Sequence, residues 1–151
     1  MTRTDLDATD KAIISELQND GRLPYSQLGA RVGLSEAASR QRVNRLTERG
    51  VLSIVAVTDP IKLGYGYQAM LGITVHTTVA ETADALAEIE EVEYVVITAG
   101  HYNVIAEVLC TDAEHFLRVI DEKIRAIEGI GTVETLTYLR LVKQTYNWGT
   151  M

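Results

Sequence analysis

The chain of 151 residues has a single cysteine, Cys110. One cysteine excludes an internal disulfide and suits a reducing compartment. Cys110 ends the apolar run VIAEVLC, which favours a buried strand residue over a reactive thiol. No apolar run approaches the roughly 20 residues of a membrane span. The N-terminal MTRTDLDATD also lacks the apolar segment of a signal peptide. We therefore expect a cytoplasmic protein.

The sequence also has few groups that could form a reactive centre. Its three histidines, His76, His101 and His115, have no neighbouring residues at metal-ligand spacing, and one cysteine cannot complete a typical zinc site. Neither a glycine-rich phosphate loop nor a nucleophile elbow is present. We therefore expect no metal, no cofactor and no enzymatic activity.

A basic excess is missing as well, since the formal net charge is −7. The acidic excess is unevenly distributed. Residues 1–50 carry eight Lys or Arg and seven Asp or Glu, whereas residues 51–151 carry six and fourteen. Five arginines of the first part fall between Arg31 and Arg49. This asymmetry predicts a domain boundary and an acidic body that repels phosphate, so that DNA stays on one side.

The stretch Leu34 to Gly50, LSEAASRQRVNRLTERG, predicts a capped amphipathic helix. Ser35 can act as N-cap and Gly50 as the C-terminal stop. Ser39, Val43 and Leu46 share one buried stripe. The opposite side carries polar side chains that can reach base edges and phosphates. With the cap, the candidate DNA contacts are Ser35, Ala37, Arg40, Gln41, Asn44 and Arg45.

The preceding segment SQLGARVG predicts a short helix that packs against this one. Gly29 permits close approach of the two helices, and Gly33 can adopt the positive φ of a tight turn. An ordinary helical hairpin is the alternative, but the glycine turn, serine cap and exposed arginines favour a helix-turn-helix. A first helix from Leu6 to Asp20, with Asp7 as N-cap and Asp10 favouring the helix dipole, completes a domain over residues 1–50.

Residues 51–66 predict a linker that contains a strand, VLSIVAVTD, whose exposed edge could pair with a second copy. Residues 67–151 then alternate between strand and helix. The strands are predicted at Ala69 to His76, Tyr94 to Thr98, Val104 to Cys110 and Val133 to Val142. The helices are predicted at Glu81 to Glu90 and Glu114 to Ile127, with Leu117 among the inward residues.

The order β-α-β-β-α-β predicts a ferredoxin-like domain, so the fold class is α+β: a three-helix helix-turn-helix domain followed by a βαββαβ domain. Two helices would cover one face of its antiparallel sheet. The other face would be a large apolar surface, for which dimerisation is the simplest partner.

With these parts in order, the sequence resembles the Lrp/AsnC family of feast/famine regulators. The resemblance spans nearly the whole chain and is carried by LDATDKAIISELQNDGR, LGARVGLS, RVNRLTERGVL and DPIKLGY. It implies an N-terminal helix-turn-helix that binds double-stranded DNA and a ferredoxin-like domain that dimerises and senses small metabolites, usually amino acids. It further implies assembly of dimers into tetramers or octamers, with the effector bound between dimers near the turn that joins the second and third strands.

The chain departs from the family pattern at that turn. The family commonly has glycine, a variable residue, an aromatic and aspartate, whereas this chain has Gly100-His101-Tyr102-Asn103. Asn103 keeps one acceptor oxygen but loses the charge that could meet an ammonium group. It is also well suited to a left-handed turn. The resemblance gives as effector candidates Thr98, Gly100, His101, Tyr102, Asn103 and Thr135.

The sequence therefore predicts a DNA-binding transcriptional regulator of the Lrp/AsnC type, modulated by a small metabolite at the interface between dimers. Two alternatives remain open. One is an architectural DNA-packing protein without an effector, and the other is a metabolite-binding regulatory module. In the favoured interpretation, the two units of a dimer read a partly palindromic site with half-sites about one helical turn apart or a multiple of it.

Overall fold

The computed structural model describes residues 5–144. Two compact units separate between Val57 and Thr58, and the second unit runs from Thr58 to Val142. The predicted linker, residues 51–66, is thus divided between the units. The end of the predicted second domain, residues 145–151, lies outside the described residues.

The first unit contains three helices: α1 (Ala8–Asn19), α2 (Tyr25–Val32) and α3 (Glu36–Glu48). Both predicted caps are present. The Asp7 carboxylate accepts a hydrogen bond of 2.7 Å from the Asp10 amide, and the Ser35 hydroxyl oxygen accepts one of 3.2 Å from the Ala38 amide. Each satisfies an amide that the helix itself leaves unpaired. Helix α1 is shorter than predicted by two residues at its start and one at its end.

Two glycines allow α2 and α3 to meet. A Cβ on Gly29 would lie 2.5 Å from the Leu34 carbonyl oxygen and 3.0 Å from Ser39 Oγ, so only glycine fits. Gly33 has φ +72°, the left-handed conformation that ends α2. The core of the unit is apolar and draws on all three helices: Ile13, Ile14, Leu17, Leu23, Leu28, Val43 and Leu46.

The predicted linker strand is wrong for the described chain. Residues 52–59 form no strand, although they are rich in β-branched residues. A strand needs a neighbour for its backbone hydrogen bonds, and no described segment of the chain provides that ladder. Ile54, Val55 and Val57 are 50%, 71% and 59% exposed. The expectation that a second copy pairs with this segment stays a prediction.

The second unit follows the predicted order. After a single 3₁₀ turn, Ile61–Leu63, come β1 (Tyr67–Val75), α4 (Val79–Ala87), β2 (Val92–Ile97), β3 (Val104–Cys110), α5 (Ala113–Arg118) and β4 (Ile130–Thr137). The strands form one sheet in the order β2-β3-β1-β4, with antiparallel neighbours throughout. The predicted ferredoxin-like α+β arrangement is confirmed.

Helix α5 differs from its prediction because it continues as a π-helical turn over Val119–Ile124. The Arg125 amide accordingly donates to the Ile120 carbonyl five residues back, over 2.9 Å. The buried stripe passes through Phe116, Val119, Ile120 and Ile124. Leu117, predicted to face inward, lies about 100° round the helix from Phe116 and is 58% exposed.

The sheet has one covered and one open face. Leu71, Ile73, Ala106 and Val108 point into the core formed with α4 and α5. Because successive strand residues face opposite sides, the alternate positions form the open face. That face also carries one polar pair, in which the Gln68 amide donates to the Glu107 carboxylate over 2.8 Å. Its other side chains are mainly apolar: Met70, Tyr94, Val96, Ile105, Leu109 and Leu136.

Candidate nucleic-acid interface and effector loop

Helix α3 is anchored by one side and exposed on the other. Ser39, Val43 and Leu46 are 0%, 2% and 0% exposed, as the predicted stripe requires. The candidate DNA contacts are all exposed: Ser35, Ala37, Arg40, Gln41, Asn44 and Arg45. The helix therefore presents a continuous polar surface to a ligand.

Two shallow hollows lie along this exposed side. One, of about 570 Å³, is lined by Ala38, Gln41, Arg42, Asn44, Arg45 and Glu48. The other, of about 520 Å³, is lined by Glu36, Ala37, Arg40, Gln41 and Asn44. Gln41 and Asn44 line both hollows, so these two side chains form the ridge between them.

Arg40 is held near the start of α3 by two contacts. Its guanidinium donates to the Glu36 carboxylate over 3.0 Å, one turn earlier in the helix. It also lies 5.5 Å from the centre of the Tyr25 ring, a cation–π distance. Both members of the ion pair are more than half exposed, at 58% and 54%, so the pair is weak and a phosphate can compete for Arg40.

Arg42 and Arg45 converge on a buried carboxylate of α1, that of Asp10. Arg42 donates to Asp10 Oδ1 over 2.8 Å, and Arg45 donates to its two oxygens over 3.1 and 3.2 Å. Arg42 also donates to Asp7 over 2.6 Å. The Asp10 side chain is only 3% exposed, whereas that of Arg45 is 49% exposed. The sequence indicates only a helix-dipole role for Asp10 and does not predict this cluster of two carboxylates and two arginines.

The same contacts shift the pKa values of Asp7 and Arg42. The hydrogen bond from Arg42, followed by that from the Asp10 amide, lowers the pKa of Asp7 below its usual range. Hydrogen bonds to Asp7 and Asp10 raise the pKa of Arg42. Asp7 and Arg42 are therefore both charged at neutral pH, and their ion pair ties the start of α1 to the middle of α3.

The predicted effector turn, residues 98–103, closes on itself and on β1. The Thr98 amide donates to the Asn103 carbonyl over 2.9 Å, and the Thr98 hydroxyl donates to the Tyr102 carbonyl over 2.7 Å. The Asn103 amide donates to the Ile73 carbonyl over 2.9 Å. Gly100 has open space where a side chain would begin. The turn is thus hydrogen-bonded at both ends and unobstructed at Gly100.

Asn103 has a structural role that the sequence did not indicate. Its side-chain oxygen accepts a hydrogen bond of 2.8 Å from the Val75 amide, close to the irregularity in pairing between Ile73 and Val75. Among the described residues, only glycines have positive φ, so the interpretation of Asn103 as a left-handed turn residue is wrong. Asparagine fits here because its acceptor closes the end of the sheet.

Tyr102 lies over the open face of the sheet. A Cβ on Gly72 would lie 2.7 Å from the tyrosine ring, so the ring rests directly on the glycine. Its hydroxyl donates to the Glu134 carboxylate, which raises the pKa of Tyr102. The His101 ring packs edge-on against Tyr102, with 4.8 Å between centroids. The loop is therefore coupled to the surface predicted to mediate dimerisation.

Thr135 is not brought to the other effector candidates. It pairs across the ladder with Leu71, whose side chain points into the helix-covered core, whereas Gly72 and Glu134 pair beneath Tyr102. Thr135 is therefore on the opposite face of the sheet from Tyr102. The fold of one chain therefore does not bring Thr135 and Tyr102 together on one face of the sheet.

Family models match both units. That of the AsnC-type helix-turn-helix domain covers residues 6–47, and that of the Lrp/AsnC ligand-binding domain covers residues 68–148. The chain belongs to the Lrp/AsnC family. It is a transcriptional regulator with a DNA-binding helix-turn-helix and a ligand-binding domain, as the sequence predicted.

This Lrp/AsnC protein is similar to other regulators over nearly its full length. It is 34% identical over 149 residues to an uncharacterised HTH-type transcriptional regulator of Pyrococcus horikoshii, covering 97% of this chain and 92% of that protein. It is 33% identical over 146 residues to the proline dehydrogenase transcriptional activator of Rhizobium radiobacter, covering 93% and 94%. Its fold matches the leucine response regulatory protein of Mycobacterium tuberculosis with a TM-score of 0.83 at 30% identity, covering 92% and 96%.

Outside these two surfaces, the Lrp/AsnC chain shows little reactive chemistry. Cys110 is fully buried, and desolvation raises the pKa of its thiol to about 11, so it is protonated and inert. Within residues 5–144, no three His, Cys, Asp or Glu side chains gather as metal ligands would. The helices in that range are too short or too polar to span a bilayer.

Proposed function

We propose that this Lrp/AsnC regulator recognises DNA with the exposed side of α3 in the major groove. The observation that carries the proposal is the capped helix whose buried stripe is held by α1 and α2 while its polar side remains exposed. The contacts are assigned to Ser35, Ala37, Arg40, Gln41, Asn44 and Arg45. Because Asp10 engages one end of the Arg45 guanidinium, Arg45 is better placed to contact phosphate than base.

The regulator is further proposed to act as a homodimer that assembles into tetramers or octamers. Support comes from the open face of the sheet, where Tyr94 and Leu136 are 50% and 52% exposed. Large exposed apolar patches mark interaction sites, and a two-fold dimer buries the same patch on both copies. A dimer also supplies the two reading units that a partly palindromic DNA site requires. As DNA is its target, we assign it to the cytoplasm and assign no catalysis to it.

An amino acid or related metabolite is proposed as effector, bound at the turn formed by residues 98–103. The ligand-binding family match and the name of the leucine response regulatory protein support this class. The loop offers the exposed His101 side chain and open space at Gly100. Such a ligand shifts the association of dimers only if it binds the two assemblies unequally.

The proposal is tested by measuring DNA binding and assembly together. Fluorescence anisotropy at fixed salt compares the DNA upstream of the regulator's own gene with random duplex of equal length. A calorimetric screen of amino acids is run in parallel, with oligomer size followed by light scattering. We expect preferential binding to the upstream DNA and a change of oligomer size with at least one ligand.

Two results would contradict parts of the proposal. Equal affinity for both duplexes, with one fixed oligomer and no ligand, would identify an architectural DNA-packing protein instead. Ligand binding without any affinity for duplex DNA would favour a metabolite-binding module.

A further inference from the structure

The polar side chains on the exposed side of α3 differ in whether they already form ion pairs or hydrogen bonds within the protein. Arg40 is paired with Glu36, Arg42 with Asp7 and Asp10, and Arg45 with Asp10. In contrast, the amide side chains of Gln41 and Asn44 make no hydrogen bond to any described residue. The side chains that are fully available to a ligand are therefore the two amides.

Among the arginines that are candidate DNA contacts, Arg45 has the ion pair that is harder to break, the one with Asp10. Its partner Asp10 is 3% exposed, so water cannot replace a departing guanidinium easily. To reach a guanine edge with both of its terminal nitrogens, Arg45 would have to leave a buried carboxylate partly unpaired, which is costly. A guanidinium has five N–H donors, so Arg45 can keep Asp10 and still offer its outer donors to a phosphate. If Arg45 contacts a phosphate, Asp10 would hold the guanidinium in position for that contact.

Gln41 and Asn44 also lie at the centre of the exposed side of α3, because both line the two hollows. They lie three residues apart, on the same side of α3, and together form the ridge between the two hollows. When a helix enters the major groove, such a ridge faces the base edges, while residues on either side face the two backbones. Arg40 and Arg45 each line only one of the hollows and therefore flank the ridge.

The chemistry of an amide selects one base. The side chains of glutamine and asparagine each combine one acceptor with one donor group, which matches the N6 donor and N7 acceptor of adenine. Arginine has donors only and matches guanine. We infer that Gln41 and Asn44, rather than the arginines, read the bases, and that each half-site presents adenines in the major groove to them. This inference rests on the proposed function and specifies the bases that it leaves open.

The test selects duplexes from a pool of randomised DNA with the full-length protein, then measures affinity for the selected duplex and all its single-base variants. The variants are Gln41→Ala, Asn44→Ala and the specificity change Gln41→Arg. Arg49→Gln is the control, because Arg49 is exposed at the end of α3 and lines neither hollow. Circular dichroism monitors folding, which these exposed positions should leave intact.

We expect adenine at two positions of each selected half-site. Asn44→Ala and Gln41→Ala should each reduce discrimination at one of them by about tenfold, with little change in salt dependence. Gln41→Arg should change the preferred base at its position from adenine to guanine. Arg49→Gln should weaken binding to all duplexes alike.

Other outcomes overturn the inference in distinguishable ways. Half-sites centred on guanines, retained in both alanine variants and lost in Arg40→Gln or Arg45→Gln, would show that the arginines read the bases. Selection without base preference would overturn the inference and leave DNA binding itself standing. Failure to bind duplex DNA at any salt concentration would remove the proposed function as well.

Discussion

Asp10 is the buried carboxylate at which two ion pairs between α1 and α3 meet. Its side chain is 3% exposed and accepts hydrogen bonds from Arg42 and Arg45, which lie one turn apart on α3. Burial of a carboxylate is unfavourable unless it is paired, so the fold requires both arginines, and Arg45 is in addition a candidate DNA contact. A single substitution here is expected to affect both stability and binding.

Asp10→Asn should lower the free energy of unfolding by about 2 kcal/mol, because it removes hydrogen bonds between charged groups at a buried position. Urea denaturation of the full chain measures this loss. The matched control is Glu16→Gln, which removes another α1 carboxylate, paired with Arg31 at the surface over 2.7 Å. That change should cost less than about 1 kcal/mol. Equal losses for the two variants would show that burial of Asp10 contributes nothing.

Asp7 makes the stability of the helix-turn-helix unit depend on pH in the acidic range. Its pKa in the folded state is below the value of about 3.9 expected for the unfolded chain. A depressed folded pKa stabilises the protein at pH values above the unfolded pKa, and this stabilisation is lost as the pH falls through the folded one. Asp7→Asn keeps a good N-cap but removes the charge. Its stability deficit relative to the wild type should be full at pH 7 and should shrink as the pH falls below the unfolded pKa of about 3.9, as measured by thermal unfolding at successively lower pH. A pH-independent deficit would contradict the assignment.

At the scale of elements, the interface of α2 and α3 depends on the absence of a side chain at Gly29. The Leu34 carbonyl oxygen and the Ser39 hydroxyl lie too close to the position that a Cβ would take, at 2.5 and 3.0 Å. Ser39 donates its hydroxyl to the Ser35 carbonyl over 3.0 Å and cannot move aside without losing that bond. The spacing of the two helices is therefore set by backbone contact.

Gly29→Ala should destabilise the protein by about 1–3 kcal/mol, because the overpacking outweighs the higher helix propensity of alanine. Gly21→Ala is a matched control, since a Cβ there would meet Ile54 at an ordinary 3.6 Å. Thermal unfolding compares the two. A more stable Gly29→Ala variant would show that the helices can separate at no cost.

Elements with strong local patterns could be predicted, and those that depend on distant partners could not. The stripe of Ser39, Val43 and Leu46 and the run that forms β3 follow from periodicity alone. The linker strand was wrong because a β-rich sequence also needs a neighbouring strand. Apolar periodicity predicts Leu117 inward, but the side of α5 that packs on the sheet is set by tertiary contacts, and these leave Leu117 58% exposed. At the site, the exposed side of α3 was evident, but the capture of Arg45 by Asp10 joins residues 35 positions apart.

At the scale of the whole molecule, the open face of the sheet is an exposed apolar surface that a second copy of the chain could cover. Met70, Ile105 and Leu136 are contributed by three different strands, so the surface is broad and preformed. Tyr102 lies on the same face through Gly72. Association through this face would therefore place the effector loop beside the contact between copies.

Leu136→Lys should convert the proposed dimer to a monomer, because it places a charge in the apolar contact between the two copies. Leu117→Lys is the control, because that leucine is similarly exposed, at 58% against 52% for Leu136, but belongs to the helical layer. Size-exclusion chromatography with light scattering gives the mass of each variant. Dimers that persist in Leu136→Lys and dissociate in Leu117→Lys would place the interface on the helices.

The contact of Tyr102 with Gly72 also has a consequence for how the family can vary. Any side chain at position 72 would occupy the volume of the tyrosine ring, and loss of the ring would uncover bare backbone in the middle of the sheet. Substitution at either position alone is therefore unfavourable, whereas a paired exchange, such as a larger residue at 72 with a small one at 102, restores the filled volume. Positions 72 and 102 are accordingly expected to covary among related sequences.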